Sequence, residues 1–426
     1  MRNNMSLSDR MKYAVGGDRL GHNYDAFLLV HGSFLISTRL PGVFINTLLL
    51  GESNELGVVM LYNMAFFLSG AVSMVVAAQV LHKTNSGVVA VTGVMGYNAL
   101  YLALIVLILS GQTVSEYYLI LGVLTGVADG FYWLSYGNLL SDTTELQNRD
   151  SGMAIVSICT SVINLCIPLL SGWIISTVGS ISGYLVVFAM AFAVSVVTSL
   201  LALRMPKSRH TGGDRVDYRA TLRAVNSNKR LHFALLAQGC KGIREGVFTF
   251  ILSIVLYQLI SSEFIIGVNT FVAALVSIVS YTLMSRVITR KNRVGLMTLA
   301  TAALCAAAAV CLFRLDIFMI FVFTVVNSFF AGFIENSCYA NFLDMLQKTH
   351  AADAHRPEMF ALNETCLVLG RSIGIVIILV MSAVLDSSLH TQIISLVVLS
   401  FTQFITVCLC RLSEKYDKKE EMENAK

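Results

Sequence analysis

The sequence predicts an all-α membrane protein with twelve transmembrane helices in two pseudo-symmetric six-helix bundles. Three observations predict this fold: the composition of the chain, twelve long apolar segments, and short motifs that recur at a constant offset. The 426 residues are 56% hydrophobic and 13% charged, with four prolines and a mean hydropathy of +0.72. Soluble domains carry about 25% charged residues, so this composition excludes a soluble globular fold.

Each of the twelve apolar segments is long enough for a helix to cross the hydrocarbon core of a bilayer. The first segment is longer than the apolar core of a signal peptide, so we expect it to be a retained span. The predicted spans 1 to 12 cover roughly residues 25–50, 57–81, 87–110, 116–140, 153–178, 182–203, 231–259, 264–285, 294–313, 316–343, 358–385 and 391–410.

Lys and Arg residues are concentrated on one side of the predicted spans. The two chain ends and the connections after even-numbered spans hold 25 of the 30 Lys and Arg residues, whereas the connections after odd-numbered spans hold only Arg314. Cytoplasmic loops carry such an excess of positive charge. We therefore expect a multi-pass protein of the cell inner (cytoplasmic) membrane with both termini in the cytoplasm.

The longest connection, which holds eight basic residues, divides the chain into two units. We expect bundles over residues 25–204 and 231–412, joined by a cytoplasmic linker over residues 205–230. Cytoplasmic tails at residues 1–24 and 413–426 complete the predicted organisation.

The linker contains a pattern typical of a short amphipathic helix on the inner membrane surface. A solvated linker without such a helix is the alternative. The pattern combines basic residues every four positions with an apolar side: Arg215, Arg219 and Arg223 with Val216, Leu222 and Val225.

Short motifs of the first half recur in the second half at an offset of about 203 residues. Gly42–Phe44 in span 1 recurs as Gly246–Phe248 in span 7. Agreement on one offset predicts a duplicated six-span unit. The matches between spans 4 and 10 are Gly130 with Gly332, Phe131 with Phe333, Ser135 with Ser337, and Asp142 with Asp344.

With its twelve spans, long basic central connection and two similar halves, the chain resembles the major facilitator superfamily over about residues 25–412. The stretch Gly130–Ser135 is similar to a little-characterised bacterial branch of that superfamily. The superfamily's loop after span 2 is reduced here to Leu81–Asn85, and span 5 keeps only Pro168 and Gly172 of a pattern associated with proton-coupled exporters. The resemblance implies a transporter in which spans 1, 4, 7 and 10 line a central cavity.

Eight charged residues lie well inside the predicted spans, where a charge costs roughly 2.5 to 3.5 kcal/mol at the bilayer centre. Six of them are on spans 1, 4, 7 and 10. Near mid-membrane, four cations outnumber two anions, and this excess favours a ligand with a carboxylate or phosphate group. The eight are Arg39 in span 1, Asp129 in span 4, Lys241, Arg244 and Glu245 in span 7, Glu335 in span 10, and Glu364 and Arg371 in span 11.

The two arginines that precede the recurring Gly-Val-Phe motif are the candidate anion ligands. We expect Arg39 and Arg244 to hold the anionic group, with Asp129, Lys241 and Glu245 in the same substrate site. Lys241 and Glu245 are four residues apart and can meet on one helix face. The alternative is that these charges pair across helices and act as gates between the halves.

The carboxylates predict proton coupling. Asp129 has no cation in its own span, so we expect a partner from another helix that is exchanged during the transport cycle. Burial and a neighbouring cation affect the proton affinity of a carboxyl group in opposite directions. We expect Asp129 to carry the proton with Glu335 assisting. Glu364 and Arg371, seven residues apart on one face of span 11, are assigned to coupling or gating, or alternatively to local structure.

Span 4 predicts close helix packing and an aromatic surface. Gly122, Gly126 and Gly130 are spaced by four and form a smooth strip that allows another helix to approach. Trp133 and Tyr136 could stack against an apolar or ring-containing part of the ligand. Lipid contact or core packing is the alternative for both rings.

Two prolines and one histidine complete the candidates. Pro41 and Pro168 predict kinks in spans 1 and 5, because proline leaves a helix carbonyl without its donor. His31 is the only histidine well inside a span. We expect it to be a satisfied interior residue, with a proton relay as the alternative.

Together these features predict a secondary active transporter for a small organic, anionic or amphipathic solute, coupled to protons and monomeric. We expect no cofactor, no metal, no catalytic residues and no nucleic-acid partner. The nine cysteines lack metal-ligand spacing, the histidines lack reactive neighbours, and the basic residues are spread between spans. A transport-inactive scaffold or sensor and a flippase of lipid-linked substrates are the alternatives.

Overall fold

The computed structural model describes residues 21–143, 149–203, 218–288, 292–349, 356–385 and 388–424, so the predictions on the N-terminal tail and on Arg215 and Val216 lie outside it. The described residues form fifteen α-helices and one 3-10 turn at Val114–Tyr117, with no strand among them. The helices are α1 His22–Gly42, α2 Phe44–Ser53, α3 Leu56–Lys83, α4 Ser86–Leu109, α5 Tyr118–Thr143, α6 Arg149–Val178, α7 Ser180–Ala202, α8 Tyr218–Ser227, α9 Lys229–Phe248, α10 Ile251–Ile260, α11 Glu263–Val287, α12 Arg293–Phe313, α13 Ile317–Gln347, α14 Arg356–Val384 and α15 Leu389–Asn424.

Among the described residues, twelve helical segments are long and apolar enough to cross a membrane, which confirms the predicted all-α membrane fold. Span 1 consists of α1 and α2, and span 7 consists of α9 and α10. Spans 2 to 6 are α3 to α7, and spans 8 to 12 are α11 to α15. The remaining helix, α8, belongs to the linker.

Span 1 breaks where its proline predicts. Pro41 has no N–H group, so the carbonyl of Ser37 four residues earlier loses its helical donor. The hydroxyl of Tyr101 in span 3 donates to that carbonyl at 3.0 Å, and α1 ends at Gly42. A side chain from a neighbouring span thus stabilises the break, whereas α6 runs without interruption through Pro168.

Span 7 breaks at the matching place in the second half. Its first helix ends at Phe248, beside the recurring Gly-Val-Phe motif, and the second begins at Ile251. No proline is involved; the hydroxyl of Thr249 donates to the carbonyl of Gly246 at 2.8 Å. The sequence repeat therefore corresponds to a repeat in helix shape.

The glycine strip of span 4 packs against span 2. A Cβ atom at Gly130 would lie 2.6 Å from the carbonyl oxygen of Gly70, and one at Gly122 would lie 2.5 Å from that of Tyr62. The hydroxyl of Ser73 on span 2 donates to the carbonyl of Gly126 at 3.2 Å. The predicted close approach is confirmed, because only glycine leaves room for the neighbouring backbone.

Spans 7 and 11 form another close contact, in the second bundle. A Cβ atom at Gly246 would lie 2.5 Å from the Cβ of Arg371, and one at Gly239 would lie 3.3 Å from the carbonyl oxygen of Cys366. Glycine at position 246 therefore leaves space for the stem of Arg371. This packing positions the Arg371 guanidinium group next to span 7.

The two bundles meet at the end of the molecule opposite the start of α1 and the end of α15, which we call the closed end. The hydroxyl of Tyr184 in span 6 donates to Glu263 Oε1 at the start of span 8, at 3.0 Å. A Cβ atom at Gly172 would lie 2.6 Å from the Glu263 carbonyl, and one at Gly51 would lie 2.9 Å from the Tyr257 hydroxyl. Contacts between spans 1, 5 and 6 and spans 7 and 8 thus bring the bundles together here.

The last helix continues well past the membrane segment expected from the sequence. Residues 413–424, expected to be a tail, extend α15 to Asn424. Asp417 is 2% exposed and forms ion pairs with Arg230 at 3.2 Å and Lys348 at 2.6 Å. These pairs attach the end of α15 to the start of span 7 and the end of span 10.

The linker helix packs against the second bundle. Thr221 and Val225 are buried, and Val225 packs with Leu231 and Met359. Leu222, which belongs to the predicted apolar side, is 48% exposed. The predicted helix therefore exists over Tyr218–Ser227, but it buries Val225 against protein.

Candidate functional site

A cavity of about 610 Å³ lies between the bundles. Of its thirty lining residues, twenty-one belong to the first bundle and nine are aromatic, compared with 10% aromatic residues in the whole chain. The lining comes from spans 1 to 5, 7, 8 and 11; span 10, one of the four expected spans, contributes none of the described lining residues. The aromatic residues are Phe34, Tyr62, Phe66, Phe67, Tyr97, Tyr101, Trp133, Phe250 and Tyr281.

Arg39 lines this cavity in the last turn of α1, two residues before Pro41. Within the described part of the chain, its guanidinium group forms no ion pair or hydrogen bond, and its Nε atom is buried without a partner. Asp129 is near enough to interact with Arg39 electrostatically, yet the two side chains form no ion pair within 4.0 Å. The cavity therefore contains a guanidinium group that is free to bind an anion.

Asp129 also lines the cavity, and two neutral donors hold it. The hydroxyl of Tyr97 in span 3 and the indole Nε1 of Trp133 both donate to Asp129 Oδ1, at 2.9 and 3.0 Å. Tyr97 comes from another helix, as the sequence predicts for the partner of Asp129, but it is uncharged, and Trp133 belongs to span 4 itself. Among the described residues, none donates to Asp129 Oδ2.

The two aromatic candidates of span 4 differ in position. Trp133 lines the cavity next to Asp129. The ring of Tyr136 packs against His31 with the ring centroids 4.5 Å apart, within the first bundle. His31 is 1% exposed and its Nδ1 lies 3.0 Å from the Tyr132 hydroxyl, as expected for a satisfied interior histidine.

Glu245 forms ion pairs with two cations of its own bundle. Lys241 Nζ lies 3.2 Å from Glu245 Oε2, and Arg371 donates to Glu245 Oε1 at 2.6 Å. Arg371 also lines the cavity and lies 5.3 Å from the centre of the Phe67 ring of the first bundle. Its ion-pair partner is thus Glu245 on span 7, and the pair lies within one bundle.

Arg244 is separated from the cavity. It is 4% exposed, donates to Asn327 Oδ1 on span 10, and lies 3.8 Å above the ring of Phe248. The structure therefore does not bring Arg244 together with Arg39. The polar partner Asn327 and the aromatic face of Phe248 explain how its charge is accommodated in the bundle.

Glu335 and Glu364 are half-buried in the second bundle. In the described part of the chain, Glu335 has no hydrogen-bond or ion-pair partner, although Lys241 and Arg244 are near enough to act on it electrostatically. Glu364 accepts a hydrogen bond from the Asn363 side chain at 3.4 Å. Neither carboxylate lines the cavity that contains Arg39 and Asp129.

Sequence reasoning missed three residues that define these environments: Tyr97, Tyr101 and Asn327. Tyrosine and asparagine are common enough in membrane helices that position alone gives no signal. Their roles can be recognised only in the structure, where each side chain bonds to a charged group or to a carbonyl without a helical donor. The described residues contain no group of three His, Cys, Asp or Glu side chains that could hold a metal ion.

Comparisons with known proteins point to one fold and one family. The family model of the Major Facilitator Superfamily matches residues 26–240. The uncharacterized protein YqgE of Bacillus subtilis is 25% identical over 420 residues, 97% of this chain and 96% of its own length.

Two solved structures show the same fold at low sequence identity. The nucleoside transporter NupG has a TM-score of 0.69 at 11% identity, over 91% of this chain and 100% of its own. A bacterial homologue of the human lysosomal transporter Spinster has a TM-score of 0.65 at 13% identity, over 93% and 97%. At these identities the likeness shows the fold alone.

Proposed function

The chain belongs to the Major Facilitator Superfamily, and from its cavity we propose that it is a proton-coupled secondary active transporter for a small organic anion or amphipathic solute. The protein is a multi-pass membrane protein with the transporter fold of that family. We further propose that it acts as a monomer in the cytoplasmic membrane, surrounded by lipid, with both termini in the cytoplasm.

The unpaired guanidinium group of Arg39 is the observation that carries this proposal. A charge at membrane depth is stable only with a partner, with water or with a bound ligand. The other cavity-lining cation, Arg371, already has Glu245 as its partner. An anionic group that binds in the cavity would therefore be drawn to Arg39, whose forked donors suit a carboxylate or a phosphate.

Contacts between the bundles at the closed end fit a transporter that works by alternating access. Contacts such as Tyr184 with Glu263 seal the closed end. The cavity lining includes Tyr281, in the half of span 8 farther from Glu263, and we propose that the cavity opens at that end. With both termini in the cytoplasm, this is an inward-facing state, and rocking of the bundles would open the closed end.

Asp129 is the proposed proton site. It lines the cavity and has only neutral donors, so its charge can change without breaking an ion pair. Glu335, which also lacks an ion pair among the described residues, is the proposed assisting group. Glu364 and Arg371 are proposed to act in gating, since Arg371 lies against both Glu245 and the Phe67 ring.

Transport in proteoliposomes under an imposed pH gradient tests this function. We expect wild-type protein to accumulate an anionic solute, and Asp129→Asn to lose accumulation while retaining solute exchange. Arg39→Gln should lose both activities. Wild-type transport that does not respond to the pH gradient would contradict proton coupling. Binding of the solute by a wild-type protein that does not transport it would favour the scaffold alternative.

Asp316→Asn is the matched control for the removal of a carboxylate. Asp316 lies in the connection before span 10, where it accepts a hydrogen bond from the Met319 N–H at 2.8 Å, and this bond lowers the pKa of Asp316. Asparagine is an equally good helix cap, so stability should be preserved. We expect Asp316→Asn to transport like the wild type.

A further inference from the structure

The two charged groups that face the cavity from the first bundle are separate from each other and each has unused binding capacity. Arg39 has a buried Nε atom without a partner, and no residue of the described chain forms an ion pair with it. Both hydrogen bonds to Asp129 end on Oδ1. Asp129 lines the cavity and is only partly buried, and no described residue donates to its Oδ2 atom. One site can receive an anion and the other can receive a donor.

Two other polar lining side chains, Asn63 and Arg371, already have partners. Asn63 donates to Asn46 Oδ1 and to the Val59 carbonyl, both at 2.8 Å. Arg371 is bound to Glu245. The free ionic groups of the cavity, among the described residues, are therefore one cation and one carboxylate oxygen, both on the first bundle.

Aromatic rings line the space around these groups. The indole of Trp133 is fixed next to Asp129 by its own hydrogen bond, and the Phe34 and Tyr97 rings pack edge to face with centroids 5.5 Å apart. Phe250 and Tyr281 line the cavity from the second bundle. Aromatic walls favour ring-containing ligands, and they also stabilise a positively charged group that lies over a ring face.

We infer that the substrate is an amphoteric, ring-bearing molecule, with its anionic group on Arg39, an ammonium or N–H donor on Asp129 Oδ2, and its ring among the aromatic side chains. This inference rests on the proposed function and gives its solute a chemical class. A purely anionic ligand would leave Asp129 Oδ2 without a donor and close to another negative charge. A neutral sugar would leave the Arg39 charge uncompensated.

Binding of four related probes to the purified protein tests the inference. Tryptophyl-tryptophan carries both charges, its N-acetylated form carries only the anion, and its C-terminal amide carries only the cation. Alanyl-alanine carries both charges without a ring. We expect the free aromatic dipeptide to bind about ten- to a hundredfold more tightly than the other three, since each lacks a charged hydrogen bond or the ring contacts.

Substitutions should remove the two charge preferences one at a time. Asp129→Asn should bind the free aromatic dipeptide and its N-acetylated form equally. Arg39→Gln should bind the free dipeptide and its amide equally. The amide oxygen introduced by Asp129→Asn would still accept hydrogen bonds from Tyr97 and Trp133, so the fold should be retained. If the variant has a much lower melting temperature, the binding of the four probes to wild-type protein tests the inference by itself.

Equal binding of the dipeptide and its N-acetylated form to the wild type would overturn the inference. It would leave the proposed anion transporter standing, provided that Arg39→Gln still abolishes transport in proteoliposomes. Absence of binding by all three aromatic probes also overturns the inference. Normal transport by Arg39→Gln would overturn the proposed function as well.

Discussion

Asp129 in the first bundle and Glu245 in the second are carboxylates on cavity-lining spans of related halves, but they have opposite environments. Glu245 lies between two cations, Lys241 at 3.2 Å and Arg371 at 2.6 Å. Asp129 has two neutral donors on one oxygen and a second oxygen to which no described residue donates. The comparison shows that charge at membrane depth can serve either packing or binding, and that the partners decide which.

The physical basis of this difference is the cost of leaving a buried charge alone. A carboxylate in a buried ion pair must stay charged, because removing its charge leaves the partner cations buried without an anion. A carboxylate with neutral donors can lose its charge or exchange its partner with little disturbance of the surrounding helices. The second bundle therefore has a rigid ionic core, and the first bundle has an adaptable site.

The largest expected effect is on stability when Glu245 is neutralised. Glu245→Gln leaves Lys241 and Arg371 without their anion, and we expect the free energy of unfolding to fall by about 3 kcal/mol. Chemical denaturation in detergent micelles measures this value. If Glu245→Gln lowers the free energy of unfolding by less than Asp129→Asn does, Glu245 is not the more important of the two carboxylates for stability.

Double-mutant cycles should separate the two sites next. We expect a coupling energy of about 1 to 3 kcal/mol between Glu245→Gln and Arg371→Gln, because these side chains are in direct contact. For Asp129→Asn with Arg39→Gln, we expect a smaller coupling energy than in the first cycle, since no ion pair joins these side chains. Strong coupling in the second cycle would show that Arg39 and Asp129 pair directly in solution.

Loss of a single donor to Asp129 should have a moderate effect. Tyr97→Phe removes a hydrogen bond to a charged acceptor, and we expect it to cost about 2 kcal/mol of stability. Tyr101→Phe is the matched control, because its hydroxyl donates to the neutral carbonyl of Ser37 at 3.0 Å and should cost about 1 kcal/mol. Equal losses would indicate that Asp129 is uncharged in the resting protein.

The smallest expected effect on stability is that of Asp129→Asn. Its amide oxygen can keep both donors, Tyr97 and Trp133. These bonds become weaker when the acceptor is neutral, but the substitution also removes a charge from membrane depth, so we expect a net change of less than about 1 kcal/mol. The same denaturation assay that measures Glu245→Gln gives the value. A fall in the free energy of unfolding of more than about 2 kcal/mol would show that Asp129, like Glu245, stabilises the fold through its charge.

Features that depend on local sequence were predictable. The twelve spans follow from hydropathy and length, and the break in span 1 follows from the missing N–H of Pro41. The close contact of spans 2 and 4 follows from the spacing of Gly122, Gly126 and Gly130, because a glycine strip has the same consequence wherever it packs. The pair of Lys241 with Glu245 also follows from spacing within one helix.

Partners on other helices could not be predicted. The ion pair of Arg371 with Glu245 depends on the rotation and close approach of spans 7 and 11, and the sequence equally allowed Glu364 as its neighbour. One hydrogen bond to Asp129 comes from Tyr97 in span 3. Span 3 contains no charged residue, so nothing in its sequence indicated a contact with Asp129.

The sequence by itself determined that the chain spans a membrane twelve times, that its halves are related, and which residues bring charge into the bilayer. These properties depend on composition and on contacts within one helix. Only the tertiary structure decided that Arg39 and Asp129 face the cavity while Arg244 turns to Asn327 and Glu245 turns to Arg371. The reason is that helix rotation and depth set every contact between spans, and a difference of one residue in either moves a side chain from the cavity to the core.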